Sequence, residues 1–297
     1  MQKKTKDNIG VVCANGIGDA LLSMIITHNL TLSGHEVTTF SSHLCGLKRW
    51  FPGKKIEPFP VNAGYDSVFS KFDRIIVADH AILKSHHDFG NKMLFLKESD
   101  FDRQKTMVDN LAATCRYRLN LPYCVKSNGI VVPKNLTWKK HPKRVIIHPI
   151  STSLEKNWLP EKFYALCNRL LQHGYQPALC MSQDQQKGWS KIVEGTKLLL
   201  PFFPNLDELA SYVYESGMMI GNDSGIGHIA SCLDIPTISL FARKSYSHLW
   251  RPGWHPGSVV TPPNLLIGAK LKQKYWKYLL TVEQTWQHFK KMAEKSS

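Results

Sequence analysis

VIIHPISTSLEKNWLPEKFYALCNRLLQHGYQPALCMS, residues 145–182, decides the fold. Its first seven residues, VIIHPIS at 145–151, form an apolar run of the kind that fills a buried parallel strand. Pro160 and Glu161 then open a helix, because a first turn tolerates proline and favours an acid. Phe163, Leu166, Cys167, Leu170 and Leu171 recur at i, i+3, i+4, i+7 and i+8, so one helical face is apolar. Gly174 ends that helix, and PALCMS at 177–182 is the next strand. A strand, a helix and a strand in this order make one β–α–β unit.

The same alternation extends in both directions. Upstream, IGVVCA at 9–14 reads as a buried strand and NGIGD as a turn. A helix runs from Ala20 to about Leu32, and EVTTFS at 36–41 is a second strand. Weaker units follow at 56–61 and 74–79, then a helix over 101–119 with Met107, Leu111 and Cys115 on one face, and NGIVVP at 128–133. KNLTWKKHPKR at 134–144 is basic, polar and broken by Pro142, and reads as a linker. Downstream, Asn205 caps a helix through Tyr214, 217–221 is a strand, 225–233 a helix and 236–242 a strand. The pattern predicts two doubly wound α/β domains, 1–140 and 141–280, followed by a helix within 281–297 that could pack back on the first domain. Ligands of such sheets bind beyond the carboxyl ends of the strands, so the cleft between the halves is where a site is expected.

Composition narrows the function. With 38 Lys and Arg against 23 Asp and Glu, the formal charge is +15, which favours anionic partners. No zinc site, basic recognition motif or RNP signature accompanies that charge, so nucleic acid is not the expected partner. The seven cysteines form no C-x-x-C pair and several sit in apolar runs, as expected of a reduced, cytoplasmic chain. The opening apolar stretch is too short for a secretory signal, and no run approaches the roughly 18–20 residues that span a bilayer.

Three loops could carry chemistry. Asn15-Gly16-Ile17-Gly18-Asp19 joins a strand to a helix, and its glycines let a ligand approach the backbone. It is not a dinucleotide fingerprint, because Leu21 stands where the third glycine would be. Asp19 reads equally well as a first-turn acid offsetting the helix dipole and as a carboxylate able to take a proton. Gly221 to His228, GNDSGIGH, makes a second such turn, where backbone N–H groups from Ser224 onward suit a phosphate. Taken alone, Asp223 is more simply an N-cap and His228 a satisfied helix histidine. The third loop, His148 to Glu161, offers Ser151, Thr152, Ser153 and Lys156, a set that suits a diphosphate or merely makes a hydrophilic loop with a solvated lysine.

Taken together, the loops resemble a known family. IHPISTSLEKNWLPEKFYALCNRLLQHGY and GNDSGIGHIASCLDIPTISLFA are similar to the bacterial glycosyltransferases of family 9, which include the ADP-heptose:lipopolysaccharide heptosyltransferases. The family's Asp-Thr/Ser-Gly-x-x-His-x-Ala motif before a proline-initiated strand is matched by Asp223, Ser224, Gly225, His228, Ala230 and Pro236. Its Lys-x-Trp-Pro-x-x-x-Phe pattern is matched by Lys156, Trp158, Pro160 and Phe163, with Leu159 as an extra residue, and its N-terminal Gly-Asp by Gly18-Asp19. The resemblance is strong over 145–242, moderate over 9–40 and poor over 41–140.

The resemblance implies a GT-B fold, two Rossmann-like domains facing across a cleft, with the acceptor on the N-terminal half and the donor on the other. It implies inverting transfer without a metal or other cofactor, from a nucleoside-diphosphate sugar, ADP-linked, to a lipopolysaccharide-core or other anionic glycolipid. Asp19 matches the catalytic base on the acceptor-side loop of Gly16 and Gly18. The donor-binding set is Ser151, Thr152, Lys156, Gln183, Asp223, Ser224, Gly225 and His228.

Two departures stand out. Leu240-Phe241-Ala242-Arg243-Lys244 replaces the family's Leu-Phe-Gly-Pro-Thr, and the acidic ribose contact has no clear match, with Gln183, Asp184 and Gln185 in its region. Asp100-Phe101-Asp102 is a D-x-D, the metal motif of the other glycosyltransferase fold, and reads here as the start of a helix. Rival functions are another sugar donor or a protein acceptor on the same fold, or a non-catalytic nucleotide-sugar binder, which the presence of Asp19 disfavours. The tail carries Lys270, Lys272, Lys274 and Lys277 among Tyr275, Trp276 and Tyr278, then Trp286 and Phe289. The last two are spaced to pack on a core. The stretch 270–278 reads as a surface loop able to meet an anionic membrane face, which would make the chain peripheral on the inner membrane.

Overall fold

The computed structural model describes residues 6–60, 65–78, 90–255, 257–263 and 269–296. They divide into two compact units, 1–133 and 134–297. The first unit runs β1 (Asn8–Val12), α1 (Ile17–Leu32), β2 (Glu36–Phe40), β3 (Lys55–Glu57), α2 (Tyr65–Phe69), β4 (Arg74–Val77), β5 (Met93–Phe95) and α3 (Met107–Tyr117). Its sheet has the order β3-β2-β1-β4-β5, all parallel. The chain leaves β1 for β2 on one side and later returns to pair β4 on the other, so the order reverses at β1. Phe40, Phe69, Phe72 and Ile75 fill part of the core beneath that strand.

The second unit runs β6 (His141–His148), α4 (Pro160–Gln172), β7 (Gln176–Leu179), α5 (Gln183–Gln186), α6 (Ser190–Val193), α7 (Leu206–Tyr214), β8 (Ser216–Asn222), α8 (Gly225–Cys232), β9 (Thr237–Leu240), α9 (Lys244–Trp250), β10 (Ser258–Val260), α10 (Ala269–Leu279) and α11 (Val282–Ser296). Its parallel sheet has the order β10-β9-β8-β6-β7. Here the reversal falls between β6 and β8, which pair directly. The apolar stripe of α4 read from the sequence is the core face, with Phe163, Leu166, Cys167 and Leu170 all buried. α11 lays Trp286 and Phe289 into the same core and packs on α4 and β10.

Several sequence expectations change. The linker ends earlier than 144, because β6 begins at His141 and contains Pro142. Proline cannot donate to a ladder, and the pairing with β8 slips register between His141 and Val145 to absorb it. Gly217 makes that possible, since a Cβ there would stand 1.9 Å from the Pro142 carbonyl oxygen. The helix expected over 101–119 covers only Met107–Tyr117, where Thr106 and Asp109 form a capping box. The D-x-D therefore precedes the helix. Asp100 accepts from the Lys97 N–H and pairs with Arg118, and Asp102 accepts from the Gln104 N–H. Residues 128–133 form no strand, and Val131 donates only to the Trp50 carbonyl. β5, β10 and α10 were not foreseen. Val61 and Asp79, the ends of two expected strands, lie outside the described residues. All seven cysteines are free thiols, and burial pushes Cys13, Cys115 and Cys167 up to about 12.

Candidate functional site

In the C-terminal unit the loops leaving β6 and β8 flank the point where the strand order reverses, the usual ligand crevice of an open α/β sheet. The two strand ends approach so closely that a Cβ on Gly221 would lie 2.6 Å from the His148 carbonyl oxygen. Asn222, fully buried, locks the loops together. Its amide donates to the Pro149 carbonyl (2.7 Å), and its side-chain oxygen accepts the Trp158 N–H (3.0 Å). Asn157 completes the clasp by accepting the Ser151 N–H at 2.7 Å.

That clasp presents Lys156 beside Asp223. The ammonium donates to the carboxylate at 2.8 Å and lies 5.4 Å from the centre of the Tyr246 ring. Burial alone would lower the Lys156 pKa, but the Asp223 charge and the Tyr246 hydroxyl outweigh it and leave it raised. The two residues line a pocket of about 250 Å³ with Ser153, Tyr246, Arg243 and Gln273. Arg243, at the position where the sequence departs from the family pattern, is thus a second cation on that pocket.

α8 begins at the same mouth. Its N-cap is Ser224 rather than Asp223, whose carboxylate goes to Lys156. Gly225 is the first helical residue, so the free N–H groups of the first turn follow directly. The Ser224 hydroxyl caps nothing, and Ser224 Oγ and His228 Nδ1 are both buried without a hydrogen-bond partner. Two orphaned polar atoms one helical turn apart are costly unless something else bonds them.

His228 and His148 are both held neutral. Burial lowers each to about 4, against weaker opposing effects from Asp223 and the Trp250 backbone for His228 and from the Cys180 carbonyl for His148. His148 Nδ1 carries the proton, because it lies 2.7 Å from that carbonyl oxygen. The unfolded chain takes up these protons below about 6.5 and the folded chain only near 4. Stability therefore falls as pH drops through that window, by on the order of 3 kcal/mol per histidine. Urea unfolding at pH 7 and at pH 5 checks this. The midpoint should drop at pH 5 in the parent protein, and drop less in His228→Gln.

Other expected residues are placed differently. The Ser151 hydroxyl is spent on its own loop, on the Ser153 carbonyl and on Asn157. Thr152 and Gln183 are exposed and do not line the pocket; Gln183 opens α5, whose capping box is Ser182 with Gln185. Asn157, Asn222, Tyr246 and Gln273 escaped the sequence reading. Asn222 stood in the quoted GNDSG turn, while Tyr246 and Gln273 had no local signal.

In the N-terminal unit the loop after β1 ends at Gly16, the N-cap of α1. Asp19 is half-buried, and its Oδ2 would lie 3.0 Å from a Cβ at Gly16, so a side chain there would crowd the carboxylate. Gly18 is buried, and the Asp19 carbonyl is held by the Ser23 hydroxyl at 2.8 Å. Beyond the ends of β1 and β2 lies a pocket of about 530 Å³ lined by Asn15, Ser41, Ser42, His43, Phe59 and Tyr65 among others. Among the described residues there is no cluster of His, Cys, Asp or Glu able to hold a metal ion.

Comparison with known proteins places these loops in context. The family model described as Glycosyltransferase family 9 (heptosyltransferase) matches residues 84–259, more than half of the chain. The lipopolysaccharide core heptosyltransferase OpsX of Haemophilus influenzae is 31% identical over 107 residues, which are 34% of this chain and 30% of that protein. The chain thus matches under a third of that relative's length. Among solved structures, a family 9 glycosyl transferase from Veillonella parvula superposes with a TM-score of 0.74 at 15% identity, covering 99% of both chains. The Escherichia coli heptosyltransferase WaaC with ADP gives 0.65 at 15% identity, covering 98% of this chain and all of that one. These likenesses identify the fold as GT-B.

Proposed function

The chain belongs to glycosyltransferase family 9, and from that premise we propose that it is an inverting, metal-independent transferase moving a heptose from ADP-heptose to a lipopolysaccharide-core acceptor. One observation carries the reading. Lys156, paired with Asp223, stands at the same strand-order reversal as two orphaned buried atoms, Ser224 Oγ and His228 Nδ1. That arrangement suits a nucleoside diphosphate, and the solved relative carrying ADP supports adenine as its base.

In this mechanism the acceptor hydroxyl gives its proton to Asp19 as it attacks the anomeric carbon. The transition state is oxocarbenium-like. Charge grows on the departing diphosphate, where Lys156, Arg243 and the first N–H groups of α8 receive it. These groups supply the stabilisation that a divalent ion gives elsewhere, so the reaction needs none. The acceptor is lipid-linked, and the enzyme works as a peripheral protein; among the described residues no helix is long and apolar enough to cross a membrane.

Arg243 favours a second reading, the same reaction with a different sugar donor, because it puts a charged side chain on the donor pocket where the family pattern has none. One assay separates the possibilities. ADP-heptose offered with a core-oligosaccharide acceptor should give product with inverted anomeric configuration, unchanged in EDTA. Loss of activity in EDTA with rescue by Mg²⁺ sinks the metal-free mechanism. Turnover with other sugar nucleotides but not with ADP-heptose selects the second reading.

A further inference from the structure

The stretch 270–278 is helical rather than a loop, and this changes what its side chains do. α10 buries one side and exposes another that is also apolar. Trp276 is fully buried, and its indole donates to the Glu155 carbonyl at 2.8 Å. Lys162 reaches across from α4 and donates to the carbonyls of Lys277 (3.0 Å), Tyr278 (2.7 Å) and Leu280 (2.7 Å), satisfying the open end of the helix. So the helix is fastened on its inner side. On the outer side Leu271, Tyr275 and Tyr278 are 51%, 43% and 59% exposed, at the i, i+4, i+7 spacing of one stripe. Leu154, 81% exposed, lies in the turn that Trp276 holds through Glu155.

The charge on α10 itself has one sign, with Glu155 of the neighbouring turn as the acid beside it. The helix sequence AKLKQKYWKYL holds four lysines and no acid. Lys274 is exposed with its ammonium 5.5 Å from the centre of the Tyr275 ring, and Lys277 is half-buried. A stripe of leucine and tyrosine flanked by lysine is the composition of a helix that lies in a bilayer interface, with ring and methyl groups at the headgroup level and ammonium groups among lipid phosphates. The other side of the same helix places Gln273 on the donor pocket.

We propose that the outer face of α10 docks the protein on an anionic lipid surface, beside its donor pocket and without insertion. This rests on the reading of a lipid-linked acceptor for its purpose, but the binding itself needs neither donor nor acceptor. Three apolar residues and a few lysines near an anionic leaflet make the attachment weak, reversible and screened by salt.

Co-sedimentation of the full chain with phosphatidylcholine vesicles, with and without phosphatidylglycerol, tests it. Binding should require phosphatidylglycerol and weaken at high salt. Lys274→Gln with Lys277→Gln should lower the partition coefficient roughly ten- to thirtyfold. Leu271→Ser with Tyr275→Ser and Tyr278→Ser should lower it at least as far. All five side chains point away from the core or only graze it, and unchanged thermal melts would show that both variants are folded. Turnover on a soluble acceptor should be unchanged in both, so loss of docking and loss of the enzymatic reading appear separately. Equal binding to neutral vesicles, or anionic binding indifferent to both variants, overturns the proposal. So does lipid-free self-association that the serine variant abolishes, because the stripe would then be covered by a second copy.

Discussion

Asp19→Asn is expected to leave the affinity for ADP within a few-fold and to cut turnover by roughly 10²–10⁴, the usual contribution of a positioned base. The substitution keeps size and shape, which matters because the side chain lies back over Gly16, where even a methyl group would stand 3.0 Å from Oδ2. Only the charge and the basicity are lost. The competing account makes Asp19 a first-turn acid that offsets the dipole of α1, a helix sixteen residues long. That role is worth only about 0.3–1 kcal/mol of stability. The two accounts diverge sharply in one variant. A base gives collapsed turnover with nearly unchanged unfolding; a dipole partner gives slightly weakened folding with nearly normal turnover. Steady-state kinetics beside a urea titration of the same preparation distinguish them, and near-normal turnover removes Asp19 from the chemistry.

How much of this was legible in the sequence depends on the range of the interaction. α4 could be read to the residue, because its periodicity, Pro160 and Gly174 are local signals and its packing obeys them. The GNDSG turn was legible as a strand-to-helix junction for the same reason. The partner of Asp223 was not. A cap and an ion pair look alike in sequence, and the choice is made by Lys156, sixty-seven residues away in the chain. Asn222 shows the same limit: its clasp on Pro149 and Trp158 exists only once β6 and β8 are adjacent. α10 does not declare itself in the sequence because what fastens it is distant in the chain. One side answers to Glu155 and Lys162, contacts that no local rule contains. Strand β6 was shortened on paper by Pro142, whose cost is absorbed by a register slip and by Gly217 on the neighbouring strand.

Lys156→Met should weaken ADP binding by roughly 10²-fold, the largest effect expected of any single residue on the donor side. Its direct share is a charge-assisted contact to phosphate, about 1.5–3 kcal/mol. A second share comes from the partner left behind. The Asp223 side chain is only 13% exposed, and without the ammonium its carboxylate would face the phosphates uncompensated. The methionine keeps most of the stem's packing, so the loss is one of charge. This predicts a specific pattern in the double variant. Lys156→Met with Asp223→Asn removes both the attraction and the repulsion, and should bind ADP more tightly than Lys156→Met alone, with a coupling of about 0.5–3 kcal/mol. Arg243 remains on the pocket in every variant and sets the residual affinity. The loss should also be larger for ADP than for adenosine, which has no phosphate to meet the lysine. Calorimetric titration of the parent, Lys156→Met, Asp223→Asn and the double variant with both ligands measures all of this. If Lys156→Met bound ADP as the parent does, the ion pair with Asp223 would be structural, and the diphosphate would have to be held by the α8 turn and Arg243 alone.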